Sequence, residues 1–307
     1  MVGDFPEQKE KINTRMSKVL IENWLKTVEN LKPPPWIDTE SFECYVEVIK
    51  KIAEINEFDK RFFHFQFFIA IYMDNEHENT IPLGLSQKDT FKEIGLYKIE
   101  TCDKFNYKLD LTDEWHVDGK ELPSMRPLIQ HYFVLKTVWN HANNSEKFSL
   151  AFLKEIHFNL MSGSYEKTFK DVKFPFPAGN IRDVHVSAGN YQFMDPIQIP
   201  RQLDNLIVQI NAISSLQQIM VCFREFLLIH PFVNGNGRTA RLLLNWMLCR
   251  LGISKFPIVL TSGRKKSRNH YISSLKKYDQ GIKKHLQFLL LSSFGEVGGN
   301  YLALYSK

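Results

Sequence analysis

The chain has 307 residues, enough for one large domain or two modest ones with a sizeable core. Hydrophobic residues make up 44% and charged residues 24%, which excludes a disordered or fibrous chain and fits a soluble globular one. The 39 lysines and arginines against 34 acidic residues leave a formal charge of only +5, too little to argue for nucleic acid as the partner.

Helical periodicity dominates the chain in order. Residues 7–31 read as a long amphipathic helix stopped by Pro33–Pro35. Residues 40–58 and 61–73 read as two more helices, followed by a loop at "DNEHENTIPLGLS" and a short helix over 87–97. Residues 100–122 are irregular and polar, so a first region of N-terminal helices is expected to end at 122. From 123 to 307 the pattern predicts a helical core with C-terminal helices: 125–144, 149–164 with Ser149 as N-cap, 201–213, 215–229, 237–252 with a Gly252 stop, and 269–294 interrupted near Gly281. The stretch 172–200 breaks this pattern. Residues 181–187 are its best strand, expected to pair with 191–194 across Ala188–Asn190.

Three features exclude other settings. Cys44, Cys102, Cys222 and Cys249 lie far apart, so structural zinc is not expected and a reducing compartment is. The polar N-terminus is no signal peptide, and apolar runs such as 64–73 are too short to span a bilayer. A cytoplasmic protein with no membrane partner is therefore expected, although a secreted bacterial effector acting in a host cytosol has the same features. The basic run 263–268 reads as a solvated loop, with an anion site as the alternative.

The chemistry is concentrated in "HPFVNGNGRTAR", residues 230–241. His230 closes an apolar helix that Pro231 keeps from continuing, so its imidazole is presented at a helix-to-loop boundary. The "NGNG" turn tolerates positive φ and close backbone approach, and runs into a helix N-terminus whose free N–H groups favour an anion. Arg238 and Arg241, three apart, share one face of that helix's first turn. Arginine there opposes the helix dipole, a cost that an anion between the two would offset. A plain helix–helix turn with a histidine at its edge is the bland alternative.

At these residues the chain resembles the Fic family of the Fido superfamily, whose motif is H-x-F-x-[D/E]-G-N-G-R-x-x-R. "HPFVNGNGRTAR" departs from it only at Asn234. The likeness covers roughly 124–294 through "SLAFLKEIHFNLM", "GNIRDVHVSAG" and "RNHYISSLKKYDQG". It implies a mainly α fold: a Fic-type helical bundle with a short β-hairpin flap, preceded by additional N-terminal helices. It also implies transfer of AMP from ATP to a Ser, Thr or Tyr hydroxyl of a protein substrate. By resemblance, His230 is the base. Asn236 and the backbone of Gly235 and Gly237 hold phosphate oxygens. Arg238 and Arg241 balance the phosphate charge, Arg241 toward the γ-phosphate. Val184, His185 and Val186 belong to the flap that docks the target. Tyr271 and Asp279 are assigned to the adenine pocket, with core packing as the alternative for Tyr271.

Asn234 stands where the family places the carboxylate that holds Mg²⁺ (or Mn²⁺). It keeps an oxygen but loses the charge, which weakens a hard-cation site. Three outcomes stay open: a slow adenylyltransferase, an enzyme with another metal or donor (UMP, GMP or phosphocholine), or a nucleotide-binding module without turnover. Many family members carry an inhibitory [S/T]-x-x-x-E-[G/N] segment whose glutamate pairs with the second motif arginine. "DNEHEN", residues 74–79, offers Glu78–Asn79 in that role with Asp74 at the hydroxyl position; Glu29–Asn30 is the alternative, with Leu25 there. The expected function is an autoinhibited protein adenylyltransferase, with homodimer formation left open.

Overall fold

The computed structural model describes residues 17–55, 60–78, 114–117, 120–123, 126–162, 165–167, 173–175, 177–261 and 265–305. The expected helix over 87–97 lies outside them. The fold is mainly α, as expected, with short antiparallel hairpins.

Helix α1 (Lys18–Glu29) buries Ile21, Trp24, Leu25 and Val28, the spacing of one helical face. In α2 (Thr39–Ala53), Asp38 caps the N-terminus by accepting from the Ser41 N–H at 2.7 Å. This helix ends at Ala53, five residues short of the expected 58. Helix α3 (Lys60–His77) departs the other way: residues 74–77, expected to begin a loop, form its last turn. Tertiary partners account for the extension. Asp74, Asn75 and His77 are buried, and Asn75 donates to the Ile71 carbonyl at 2.8 Å and to His131 Nδ1 at 3.0 Å.

Residues 100–122 are not wholly irregular. Strand β1 (Glu114–Val117) pairs with β2 (Lys120–Pro123), Trp115 opposite Leu122. The intervening Asp118–Gly119 pair is a hairpin signal in sequence.

Helices α4 (Arg126–Asn143) and α5 (Leu150–Met161) fall where the periodicity predicts them, and Ser149 caps α5 by accepting from the Phe152 N–H at 3.1 Å. A hairpin not expected from sequence follows, β3 (Tyr165–Lys167) with β4 (Lys173–Pro175). The strand expected over 181–187 is reduced to β5 (Ser187–Ala188), paired with β6 (Tyr191–Gln192) across Gly189–Asn190. Residues 181–186 are irregular, and the Val184 carbonyl accepts from Arg182 Nη1 at 2.7 Å.

Helices α6 (Ile199–Asn211), α7 (Leu216–Ile229) and α8 (Asn236–Arg250) complete the centre. Among the described residues α8 is buried along nearly its whole length, packed on α4, α5 and α7. Helices α9 (Lys265–Asp279) and α10 (Lys284–Tyr305) follow, separated at Gly281, where φ is +82°. Helix α10 lies along α2, with Trp24 and Phe42 edge-on to Phe294 and Phe288 at 5.6 Å. One apolar core thus runs from the N-terminal helices through α8. No helix of the described residues is long and apolar enough to cross a membrane.

Candidate active site

The site is built where α7 hands over to α8. The His230 N–H closes α7 on the Phe226 carbonyl at 3.0 Å, and the residue itself adopts φ +49°, ψ +60°. That left-handed conformation turns the chain out of the helix. The imidazole Nδ1 lies 3.2 Å from the Leu227 carbonyl oxygen. An oxygen there selects the tautomer protonated at Nδ1, which leaves the Nε2 lone pair as the basic atom. Burial pushes the His230 pKa down to about 4, so the ring is neutral at physiological pH.

The loop is held from within. The Asn236 side chain, assigned to phosphate by resemblance, accepts from the Phe232 N–H at 3.0 Å and donates to the Phe232 carbonyl at 2.7 Å. It therefore shapes the loop, with both ends of its amide already used. Gly235 sits at φ +74°, and a Cβ there would lie 2.8 Å from Met161 Sδ. Glycine is required on both counts. The Gly235 carbonyl accepts from the Thr239 N–H and hydroxyl, both at 3.0 Å, starting α8.

The first turn of α8 is cationic and buried. Arg238 is 5% exposed; Nη2 reaches Met161 Sδ at 3.1 Å, and Nε has no partner among the described residues. A buried orphan donor on a cation, beside unpaired helix N–H groups, is a place for an anion. Arg241 is 2% exposed and donates from Nε to Asp74 Oδ1 at 2.7 Å and from Nη2 to Glu78 Oε1 at 2.8 Å. The Glu78 carboxylate also overlies Gly237, where a Cβ would come within 2.6 Å of Oε1. Glu78 thus fills the space above the helix terminus. Burial is the largest single influence on Glu78 and Arg241 and works against both charges, but the facing charges together outweigh it: Arg241 and Arg238 hold Glu78 below its ordinary value, and Asp74 and Glu78 hold Arg241 above its own. For Asp74 burial wins, and its carboxyl is raised to about 6.

Three residues of this site lie outside the 230–241 motif. Arg182 is buried and fastens the flap to the base: Nε donates to the His230 carbonyl at 2.7 Å, Nη1 to that of Val184 at 2.7 Å and Nη2 to that of Met194 at 2.6 Å. His157 of α5 accepts the Gly179 N–H at Nδ1 (2.8 Å), so Nε2–H donates to the Asn234 carbonyl at 3.0 Å. Its ring stacks on Phe232 at 3.6 Å. Phe193 lies on the face of His230, ring centroids 3.5 Å apart and planes at 12°. A lone arginine, histidine or phenylalanine far from the motif becomes a site residue only through tertiary contact.

The other expected residues divide. Val184 and His185 are exposed and Val186 is half-buried, beside the β5–β6 hairpin. Tyr271 is buried, edge-on to His77 at 5.6 Å and within the electrostatic reach of Arg241, and burial pushes its phenol up to about 12. Asp279 lies eight positions further, about 12 Å along the helix. It forms a two-pronged ion pair with Arg224 of α7, Nε to Oδ1 at 2.7 Å, and is not brought to the arginine cluster. Glu29 pairs with Lys50 at 3.0 Å, away from Arg241.

The residues present do not make a cation site by themselves. Asn234 offers an uncharged oxygen that already accepts from the Gly235 N–H at 2.7 Å, and Glu78 is committed to Arg241. Among the described residues no cluster of three His, Cys, Asp or Glu could hold a metal ion. The arginine-lined helix terminus, by contrast, fits the phosphates of a nucleotide.

A helical bundle with a half-buried histidine side chain ahead of an arginine-lined helix N-terminus is the arrangement that known proteins share in outline. The Fic/DOC family model matches residues 147–248. A Fido domain-containing protein of Dictyostelium discoideum is 31% identical over 136 residues, covering 41% of this chain and 92% of that one. The chain belongs to the Fic/Fido family. Protein adenylyltransferase fic-1 of Caenorhabditis elegans is 33% identical over 106 residues, 33% of this chain but only 20% of the relative's length. The solved structure of a Fic-1 fragment from the same worm has a TM-score of 0.60 at 17% identity, covering 94% of this chain and 73% of that one. A Fic domain-containing signalling protein of Bacteroides thetaiotaomicron has a TM-score of 0.58 at 16% identity, covering 92% and 94%. These two likenesses concern the fold.

Proposed function

We propose that the chain is a protein adenylyltransferase held in an inhibited state by Glu78. The observation that carries the reading is the buried first turn of α8, where Arg238 Nε lacks a partner, joined by a short loop to a histidine whose Nε2 is left as a base. In the reaction, His230 Nε2 takes the proton of a target Ser, Thr or Tyr hydroxyl. The hydroxyl oxygen forms a bond to the α-phosphorus of ATP, and the bond from that phosphorus to the bridging oxygen breaks. Pyrophosphate leaves with the bonding electrons. Arg238 and the N–H groups of α8 hold the phosphate charge as it redistributes. Arg241 serves the outer phosphates once Glu78 leaves it. A target segment lies beside the flap at Val184–Val186, fixed relative to the base by Arg182.

Incubation with labelled ATP, a divalent metal and candidate target proteins tests the reading. Label should appear on protein and vanish in His230→Ala; label that persists in this variant overturns the role of His230. A second reading, a nucleotide binder that transfers nothing, is favoured by the internal engagement of the Asn234 oxygen. Calorimetric ATP binding without transfer by Glu78→Gly under any metal or donor would decide for it.

A further inference from the structure

We infer that Phe193 is a positioning residue for the base: its ring fixes the plane of the His230 imidazole, keeps water from one face, and ties the base to the target-docking hairpin. The inference rests on His230 acting as base in the proposed transfer.

Two constraints are needed to orient an imidazole. The contact of Nδ1 with the Leu227 carbonyl, 3.2 Å, sets which edge faces inward but leaves the ring free to tilt about that bond. Parallel stacking on Phe193, with centroids 3.5 Å apart and planes at 12°, removes the tilt. The Phe193 ring is itself held. Its N–H donates to the Val186 carbonyl at 3.1 Å, and Tyr191 lies edge-on to it at 5.1 Å. Val186 and Tyr191 both belong to the flap, so a segment docking there bears on the aromatic pair that carries the base. Nε2 alone is left for a hydroxyl.

The same ring shapes the protonation of His230. An imidazolium needs water, and a phenyl group on one face excludes it. The attraction of a cation to an aromatic face acts in the opposite sense. The charged groups bearing on His230 are Arg182 from the flap, Glu78 from α3 and Arg224 from α7; the two arginines disfavour the imidazolium and Glu78 favours it. Burial is nevertheless the largest influence in the lowering to about 4.

The experiment follows the His230 ring by NMR across pH 3–8 in the full chain, without nucleotide or target, in the parent, Phe193→Leu, Phe193→Met and Phe193→Tyr. Two apolar replacements are used so that one folded variant suffices, checked by thermal melting. Losing the ring should move the His230 midpoint up toward the ordinary 6.5, whereas Phe193→Tyr, which keeps a stacking ring, should stay with the parent. In the transfer assay kcat should fall by about 10- to 100-fold with little change in the KM for ATP. Its acid limb should move up with the NMR midpoint. A midpoint that stays put or falls, with kcat retained, overturns the inference. A midpoint that rises when no variant transfers label supports the stacking role and counts against the transferase reading, so the two failures are distinguishable.

Discussion

Asp74 and Arg241 form a buried ion pair, Nε to Oδ1 at 2.7 Å, with side chains 9% and 2% exposed. Asp74, at the hydroxyl position of the proposed inhibitory segment, thus sets a second carboxylate on the arginine that Glu78 grips one helical turn later. Glu78→Gly leaves Arg241 aligned by Asp74 with Nη2 released. Removing a charged hydrogen bond of this kind should raise auto-modification by about 10- to 100-fold, measured as label incorporated per minute. No increase would mean that Glu78 does not restrain the site.

The two replacements of Asp74 should separate. Asp74→Ala leaves a buried cation short of one partner and should cost about 3–5 kcal/mol of folding stability, read from a urea midpoint. Asp74→Asn keeps the acceptor oxygen and should cost less, because burial already disfavours the Asp74 charge and raises its carboxyl to about 6.

Gly237 lies under the Glu78 carboxylate, and a methyl group there would come 2.6 Å from Oε1 and 3.3 Å from Arg241 Nη1. Gly237→Ala should displace Glu78 yet occupy the space meant for phosphate. ATP affinity by calorimetry should fall by about tenfold or more, the equivalent of 1.4 kcal/mol, even in the Glu78→Gly background.

Asn234→Asp restores a charged hard-oxygen donor at the metal position. Transfer should become more dependent on Mg²⁺ and reach its half-maximum at lower metal concentration, measured by titrating the metal at fixed ATP. An unchanged or poorer response would mean that the loop is adapted to an amide.

His157 is wholly buried, and burial lowers its pKa to about 4 from the ordinary 6.5. Between these values the unfolded chain binds a proton that the native one refuses. Stability therefore falls as pH drops from about 6.5 to about 4, by on the order of 3 kcal/mol from this residue. Protonation would set a second N–H against the Gly179 N–H, which now donates to Nδ1. Melting curves across that window should flatten in His157→Gln. An equally steep pH dependence in the variant would count against the assignment.

Most of the helices, and the motif, follow from local sequence. Apolar spacing sets α1, α4 and α7, and Ser149 and Ser215 cap α5 and α7 through their own side chains. The histidine at the helix end and the arginine-lined helix terminus are legible because both depend on neighbours within twelve residues, 230–241. The remaining features depend on partners far along the chain. Helix α3 runs through residue 77 because Asp74 and Asn75 find Arg241 and His131 there. Asp279 went to the buried Arg224, and the buried Asn236 went to the backbone of Phe232, since a buried polar group takes the partner the packing brings to it. Arg182, His157 and Phe193 joined the site for the same reason: the flap and α5 converge on residues 230–234, and convergence leaves no local periodicity to read.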